Sequence, residues 1–155
     1  MTRKCTIVPC EPAHVRALLA GLREKDAEEI RGDGISLQKG VWRPYRMSAY
    51  AKTALVDGDV AACFGTAANC LSNSARPWLL TTNVVYRAPL ALVKAGFREV
   101  KIMTEMHPFL ENYVLASYTG AVGLLSMFGF NIDEPFPHKQ TGVLFRRFWI
   151  DRRTT

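Results

Sequence analysis

Residues 53–86, TALVDGDVAACFGTAANCLSNSARPWLLTTNVVY, decide how the rest of this 155-residue chain is read. Two apolar runs, TALV and DVAAC, flank Asp57-Gly58. Glycine tolerates positive φ and Asp or Gly suits a tight primed turn, so the pattern predicts a β-hairpin. The turn-rich stretch 66–77, TAANCLSNSARP, then leads into 78–86, WLLTTNVVY, which has enough Val, Thr and aromatic residues for a third, interior strand.

Working outward, residues 6–8 are a short apolar start, and a helix is predicted from Glu11, with Pro12 in its first turn and Val15, Leu18, Leu19 and Leu22 on one stripe. Its continuation, REKDAEEIR, carries only Ala27 and Ile30 as apolar residues and ends at Gly32-Asp33-Gly34, so it reads as an exposed helix with Asp26, Glu28 and Glu29 on a solvated face. In 35–52, Trp42, Tyr45, Met47 and Tyr50 alternate with Lys39, Arg43, Arg46 and Lys52, and Pro44 interrupts; short helices and loop both fit. Downstream, Pro89 opens a helix with Leu90, Val93, Phe97, Val100 and Thr104 on one face, closed by His107-Pro108. Residues 110–117 read as a strand, 118–128 as a short helix stopped by Gly129, 131–137 as an edge or loop because of Pro135 and Pro137, and 142–150 as an aromatic strand. With no repeats or long linkers, the order fits one α/β (α+β) domain over residues 1–155.

Composition excludes several classes. At 48% hydrophobic and 22% charged residues the chain is neither a disordered tail nor a collagen-like fibre. Its net charge of +6 favours an acidic partner weakly. Cys5, Cys10, Cys63 and Cys70 form no C-x-x-C and have no nearby His pair, so no metal site is expected. They read as reduced thiols in a cytosolic setting, with Cys70 the accessible one. The amino terminus lacks the apolar run of a secretory signal, and the uncharged stretch 112–132 changes period midway, as a buried strand and helix would rather than a membrane span. His14, His107 and His138 are scattered and suit surface or capping roles. No acidic residue occurs in 34–56 or 60–98, so a basic face is expected there. Trp42, Tyr45 and Tyr50 would let it stack single-stranded nucleic acid, although no recognised nucleic-acid motif is present. Arg146, Arg147, Trp149, Arg152 and Arg153 form a second cluster suited to protein contact.

The element order β-α-α-β-β-β-α-β-α-β-β resembles the GNAT-type N-acetyltransferase fold, which implies a mixed, mostly antiparallel central sheet with helices on both faces, WLLTTNVV as its fourth strand and LENYVLA as its fifth. The pieces EPAHVRAL, REKDAEEI, SAYAKTALVDGDVAACFG, PWLLTT, PFLENYV and LLSMFGF resemble, in order, the acetyltransferase-like internal virion proteins of short-tailed phages. In GNAT enzymes the turn after the fourth strand carries R/Q-x-x-G-x-G/A, whose backbone N–H groups hold the pyrophosphate of acetyl-CoA. Here the stretch is Arg87-Ala88-Pro89-Leu90-Ala91-Leu92; only the arginine matches, and Pro89 has no N–H to donate. The resemblance places Asn83, Val84 and Arg87 as the residues to meet the cofactor if acyl-CoA binds. GNAT enzymes also resemble N-x-x-A-x-x-L-Y-x-x-x-G-F in the helix before G-F, with the tyrosine protonating the departing thiolate. Tyr118 stands at the asparagine position, Ala121 matches, and Leu125 replaces the tyrosine. No base is evident, since Thr81, Thr82 and Asn83 position water but accept protons poorly. The sequence therefore assigns no catalytic residue, metal ligand or cofactor. It implies a catalytically degenerate, GNAT-like module in a phage virion, made in the host cytoplasm, contacting other virion proteins or its own copies. The alternatives are an acetyl-CoA-dependent N-acetyltransferase and a nucleic-acid-binding domain.

Overall fold

A computed structural model describes residues 3–68 and 74–153; Cys70 and part of the loop at 66–77 lie outside the described residues. The chain runs β1 (Cys5–Pro9), α1 (Pro12–Ala20), α2 (Glu24–Gly32), α3 (Leu37–Arg46), β2 (Ser48–Val56), β3 (Asp59–Ala68) and β4 (Ser74–Thr81), then a 3-10 turn (Asn83–Arg87), α4 (Pro89–Met106), β5 (Phe109–Leu115), α5 (Thr119–Met127), β6 (Asn131–Ile132), β7 (Phe136–Pro137) and β8 (Leu144–Asp151). Asp57 and Gly58 adopt φ of 52° and 87°, the pair of positive angles a primed hairpin turn needs between β2 and β3. Gly129 stops α5 with φ 99°.

The eight-stranded sheet has the order β1-β2-β3-β4-β5-β8-β6, with β7 also on β8, and only β4 and β5 are parallel. Alternation along the strands divides the core in two. Ala62, Phe64, Leu110, Val114, Phe148 and Ile150 pack on one face with Met103 of α4 and the partly buried Leu125 of α5. Cys63 and Leu80 pack on the other with Val15 and Leu18 of α1, Ile30 of α2 and Val41 of α3. Helices thus cover both faces, as the resemblance implied.

Three sequence expectations are revised. Residues 35–52 hold a helix, α3, which tolerates Pro44 in its last turn while the Ser48 hydroxyl donates to the Pro44 carbonyl at 2.6 Å, and β2 already starts at Ser48. The predicted strand WLLTTNVVY ends at Thr81: the Thr82 hydroxyl accepts from the Val84 N–H at 3.2 Å and caps a 3-10 turn instead. Residues 23–31 are not an exposed continuation of α1, because α2 is a separate helix that buries Asp26, Ala27 and Ile30. The stretch 112–132 resolves into β5, α5 and β6, and no helix of the described residues is long and apolar enough to cross a membrane.

Candidate functional site

β4 and β5 pair only through Ser74 with Phe109 and Ala75 with Leu110, and then diverge. A sheet opened in this way orphans backbone N–H and C=O groups along both edges, and each must find a partner. On β4, the Thr81 N–H donates to the Asp26 carboxylate at 2.9 Å and the Thr81 carbonyl accepts from the Arg23 N–H at 3.0 Å. The Pro77 carbonyl accepts from the Asn112 side chain at 3.0 Å. On β5, the Tyr113 N–H donates to the Asn112 side-chain oxygen at 2.9 Å, and the Leu115 N–H to the Glu29 carboxylate at 2.8 Å. One helix, α2, therefore spans the opening with one carboxylate on each strand.

The register of β4 against β3 places Leu79 in phase with Pro77 and Thr81. Since the free groups of both neighbours face the opening, those of Leu79 do too. The same phase explains how Pro77 sits inside a central strand: its missing N–H falls on the gap side and not on the β3 ladder. Among the described residues the β4–β5 pairing stops at Ala75 and no loop or side-chain group bonds the Leu79 amide, which leaves it an open backbone donor in the gap.

A cavity of about 680 Å³ passes through this opening, lined by Lys39 and Arg43 on the α1–α3 face and by Leu92 and Leu125 on the α4–α5 face. Asp26, Glu29, Arg23, Thr81 and Tyr118 also line it. Such a volume suits a small-molecule ligand. Burial pushes the Glu29 pKa up to about 7, helped by the charges of Asp26 and Asp33 and opposed by its Leu115 hydrogen bond. Burial likewise raises Asp26 against its bonds from Thr81 and the charge of Arg23. The Tyr118 hydroxyl lies beside Asp26 and Thr81 and is pushed up to about 12, mainly by burial, so it stays protonated at neutral pH. The Arg23 guanidinium donates to the Tyr86 hydroxyl at 2.7 Å and lies 4.9 Å from the Tyr86 ring centre. Titratable groups shifted in this way inside a cleft mark a functional site by physical criteria.

The sequence reading of Asp26 and Glu29 as a solvated face is corrected by this geometry: Asp26 is 4% exposed and Glu29 walls the cavity. Only the splay of β4 from β5 gives these carboxylates their task, and no local pattern signals a splay. Tyr118 supplies a hydroxyl to the cavity from the start of α5, although Leu125 occupies the position at which the resemblance places a tyrosine. Asn83, Val84 and Arg87 do not line the cavity. Asn83 is exposed, the Val84 N–H is taken by Thr82, and Arg87 is held by Asp59 at 2.7 Å. Leu90, at the start of α4, stands where the resemblance expects a small residue, and it is 78% exposed.

Two of the three histidines are held by local contacts. His14 accepts from the Glu11 N–H at 3.1 Å in a capping box, and His138 lies 3.0 Å from Asp33. Among the described residues no group of three side chains could hold a metal ion.

No protein-family model matches the chain, and no curated protein matches it in sequence. Solved structures match its fold over nearly the whole length. The ribosomal-protein-S18-alanine N-acetyltransferase of Escherichia coli is similar with a TM-score of 0.66 at 15% identity, over 98% of this chain and 96% of that one. A GNAT-family acetyltransferase of Bacillus anthracis has a TM-score of 0.66 at 11% identity, over 98% and 99%. An N-acetyltransferase of Staphylococcus aureus Mu50 has a TM-score of 0.67 at 11% identity, over 97% and 99%. With its mostly antiparallel eight-stranded sheet and five helices, the chain has the GNAT-type N-acetyltransferase fold.

Proposed function

We propose that this domain transfers an acyl group from a thioester to an amine, with the thioester seated in the gap between β4 and β5. The observation that carries the reading is that the Leu79 amide, open on the gap side of β4, shares one cavity with Glu29 and Tyr118. The Leu79 N–H donates to the acyl carbonyl oxygen and stabilises the negative charge that develops there. Glu29 takes the proton of the incoming ammonium; its pKa of about 7 leaves it ionised and still basic near neutral pH. The amine nitrogen then bonds to the acyl carbon, the carbon–sulfur bond breaks, Tyr118 gives its proton to the departing sulfur, and the tyrosinate takes back the second proton that the nitrogen sheds as the amide forms. Coenzyme A is the thioester carrier that the resemblance implies, although the helix start at Pro89–Leu92 lacks the small residues that the resemblance expects around its pyrophosphate.

The test is a thermal-shift titration with acetyl-CoA, S-acetylpantetheine, coenzyme A and ATP, followed by an assay for free thiol with a mixture of primary amines. Saturation at about 100 times the dissociation constant adds roughly 2.7 kcal/mol of stability. The expected outcome is a shift with both acetyl thioesters at similar concentrations, none with ATP, and amine-dependent thiol release. Binding of neither thioester would overturn the reading.

A second reading is favoured by the missing cradle itself: the fold serves as a protein-contact module of a phage particle, its enzyme ancestry reduced to a scaffold. Recovery of the chain in purified particles, together with no thioester binding, is the outcome this reading expects.

A further inference from the structure

We infer that the amine acceptor of this site carries a negatively charged group, a carboxylate or a phosphate, held by Lys39, Arg43 and Arg76. The inference rests on the acyl-transfer reading and adds the chemical class of the acceptor. Glu29, which takes the ammonium's proton, stands on α2, and Ile30 of α2 packs with α1 and α3, so the acceptor approaches from the α1–α3 side. There α3 presents Lys39 and Arg43 four residues apart on one stripe, and both line the cavity. Along β4, Arg76 is in phase with Trp78 and Leu80, which pack with the α1–α3 cluster, so Arg76 lines the same entrance.

These cations differ from the other basic cluster of the chain. Arg147 is neutralised by Glu111 at 2.7 Å and Asp133 at 3.2 Å, and Arg153 by Asp151 at 2.8 Å. Among the described residues no carboxylate pairs with Lys39, Arg43 or Arg76. The acidic groups on this side are already engaged: Asp26 and Glu29 hold the strand ends, and Asp33 is bonded to His138. An incoming ammonium therefore meets Glu29 inside the cavity while its anionic end meets three uncompensated cations at the entrance. A cationic polyamine would meet the same charges as repulsion.

The experiment measures binding of β-alanine, O-phosphoethanolamine, ethanolamine and putrescine to the purified chain by calorimetry at low salt, with thiol release from S-acetylpantetheine followed in parallel. The two anionic amines should bind at least about tenfold more tightly than ethanolamine, and putrescine most weakly. The double variant Arg43→Ala, Arg76→Ala should bring all four to the level of ethanolamine; both side chains are exposed, so its thermal midpoint serves as a folding control. Equal binding of ethanolamine or putrescine, a preference that survives the double variant, or no binding of any amine would overturn the inference. If the anionic amines bind selectively and no thioester is consumed, the acyl-transfer reading falls and the anion-selective amine site stands. If all amines are acetylated equally, the reverse holds. A response to β-alanine alone or O-phosphoethanolamine alone identifies which anion the entrance recognises.

Discussion

Glu29 binds its proton more tightly in the folded chain than in the unfolded one, with a pKa of about 7 against 4.5. Its ionisation therefore opposes folding: the penalty is absent below about pH 4.5, grows through the interval, and is complete above about pH 7. At about 1.4 kcal/mol per unit it reaches on the order of 3 kcal/mol. Glu29→Gln keeps an oxygen for the Leu115 N–H, so its urea stability should exceed that of the parent near pH 8 and match it near pH 4. A difference independent of pH would show that Glu29 titrates normally. In the acyl-transfer assay the same variant should lose about 10²–10⁴-fold in rate and its inflection near neutral pH. Asp26→Ala should cost about 1–3 kcal/mol in urea unfolding, because the Thr81 N–H loses its buried acceptor, whereas Asp26→Asn should cost less. Outside the site, a hydrogen bond from Cys63 lowers the Cys10 pKa to about 6, with smaller help from Thr53 and His14. Cys63 is fully buried and shifted upward by that bond and by burial. Iodoacetamide mapping should therefore find Cys10 modified near pH 7 and Cys63 protected; labelling of Cys63 first would contradict this arrangement.

At the scale of the elements, α2 is the piece on which the site depends. Its seat against α3 requires Gly40, because a Cβ there would overlap the Ile30 side chain, which is itself packed in the core. Gly40→Ala should cost about 1–3 kcal/mol in thermal unfolding and, by pushing α2 outward, weaken thioester binding as well. Loss of stability with unchanged binding would show that the carboxylates do not depend on the α2–α3 approach. The elements that local chemistry determines were legible in the sequence: the Asp57-Gly58 hairpin, the Pro89 helix start and the Gly129 stop each rest on a backbone requirement of one or two residues. α3 was ambiguous because Pro44 and an irregular aromatic spacing mask its helical period. α2 was misread for a deeper reason. Asp26 and Glu29 are polar residues serving as caps for strands more than fifty residues away, so their burial follows from sheet topology and leaves no trace in the helix's own pattern.

Across the whole molecule, the resemblance read from element order is matched by a sheet that opens between its fourth and fifth strands. The two ends of the cavity differ in their chemistry. At the donor end the start of α4 offers apolar side chains, and Arg87 is bound to Asp59. At the acceptor end the acid-free window 34–56 becomes the cationic wall of α3, which the sequence registered as a basic face without showing that it borders a cavity. The most direct measurement of the central claim is an amide NMR titration of isotope-labelled protein with S-acetylpantetheine and, separately, acetyl-CoA. Saturable movement of the Leu79 amide, with similar half-saturation for the two ligands and little change at residues 87–92, is the predicted result. An unmoved Leu79 amide, or movement confined to 87–92 with acetyl-CoA, would contradict the assignment of the β4–β5 gap as the thioester site.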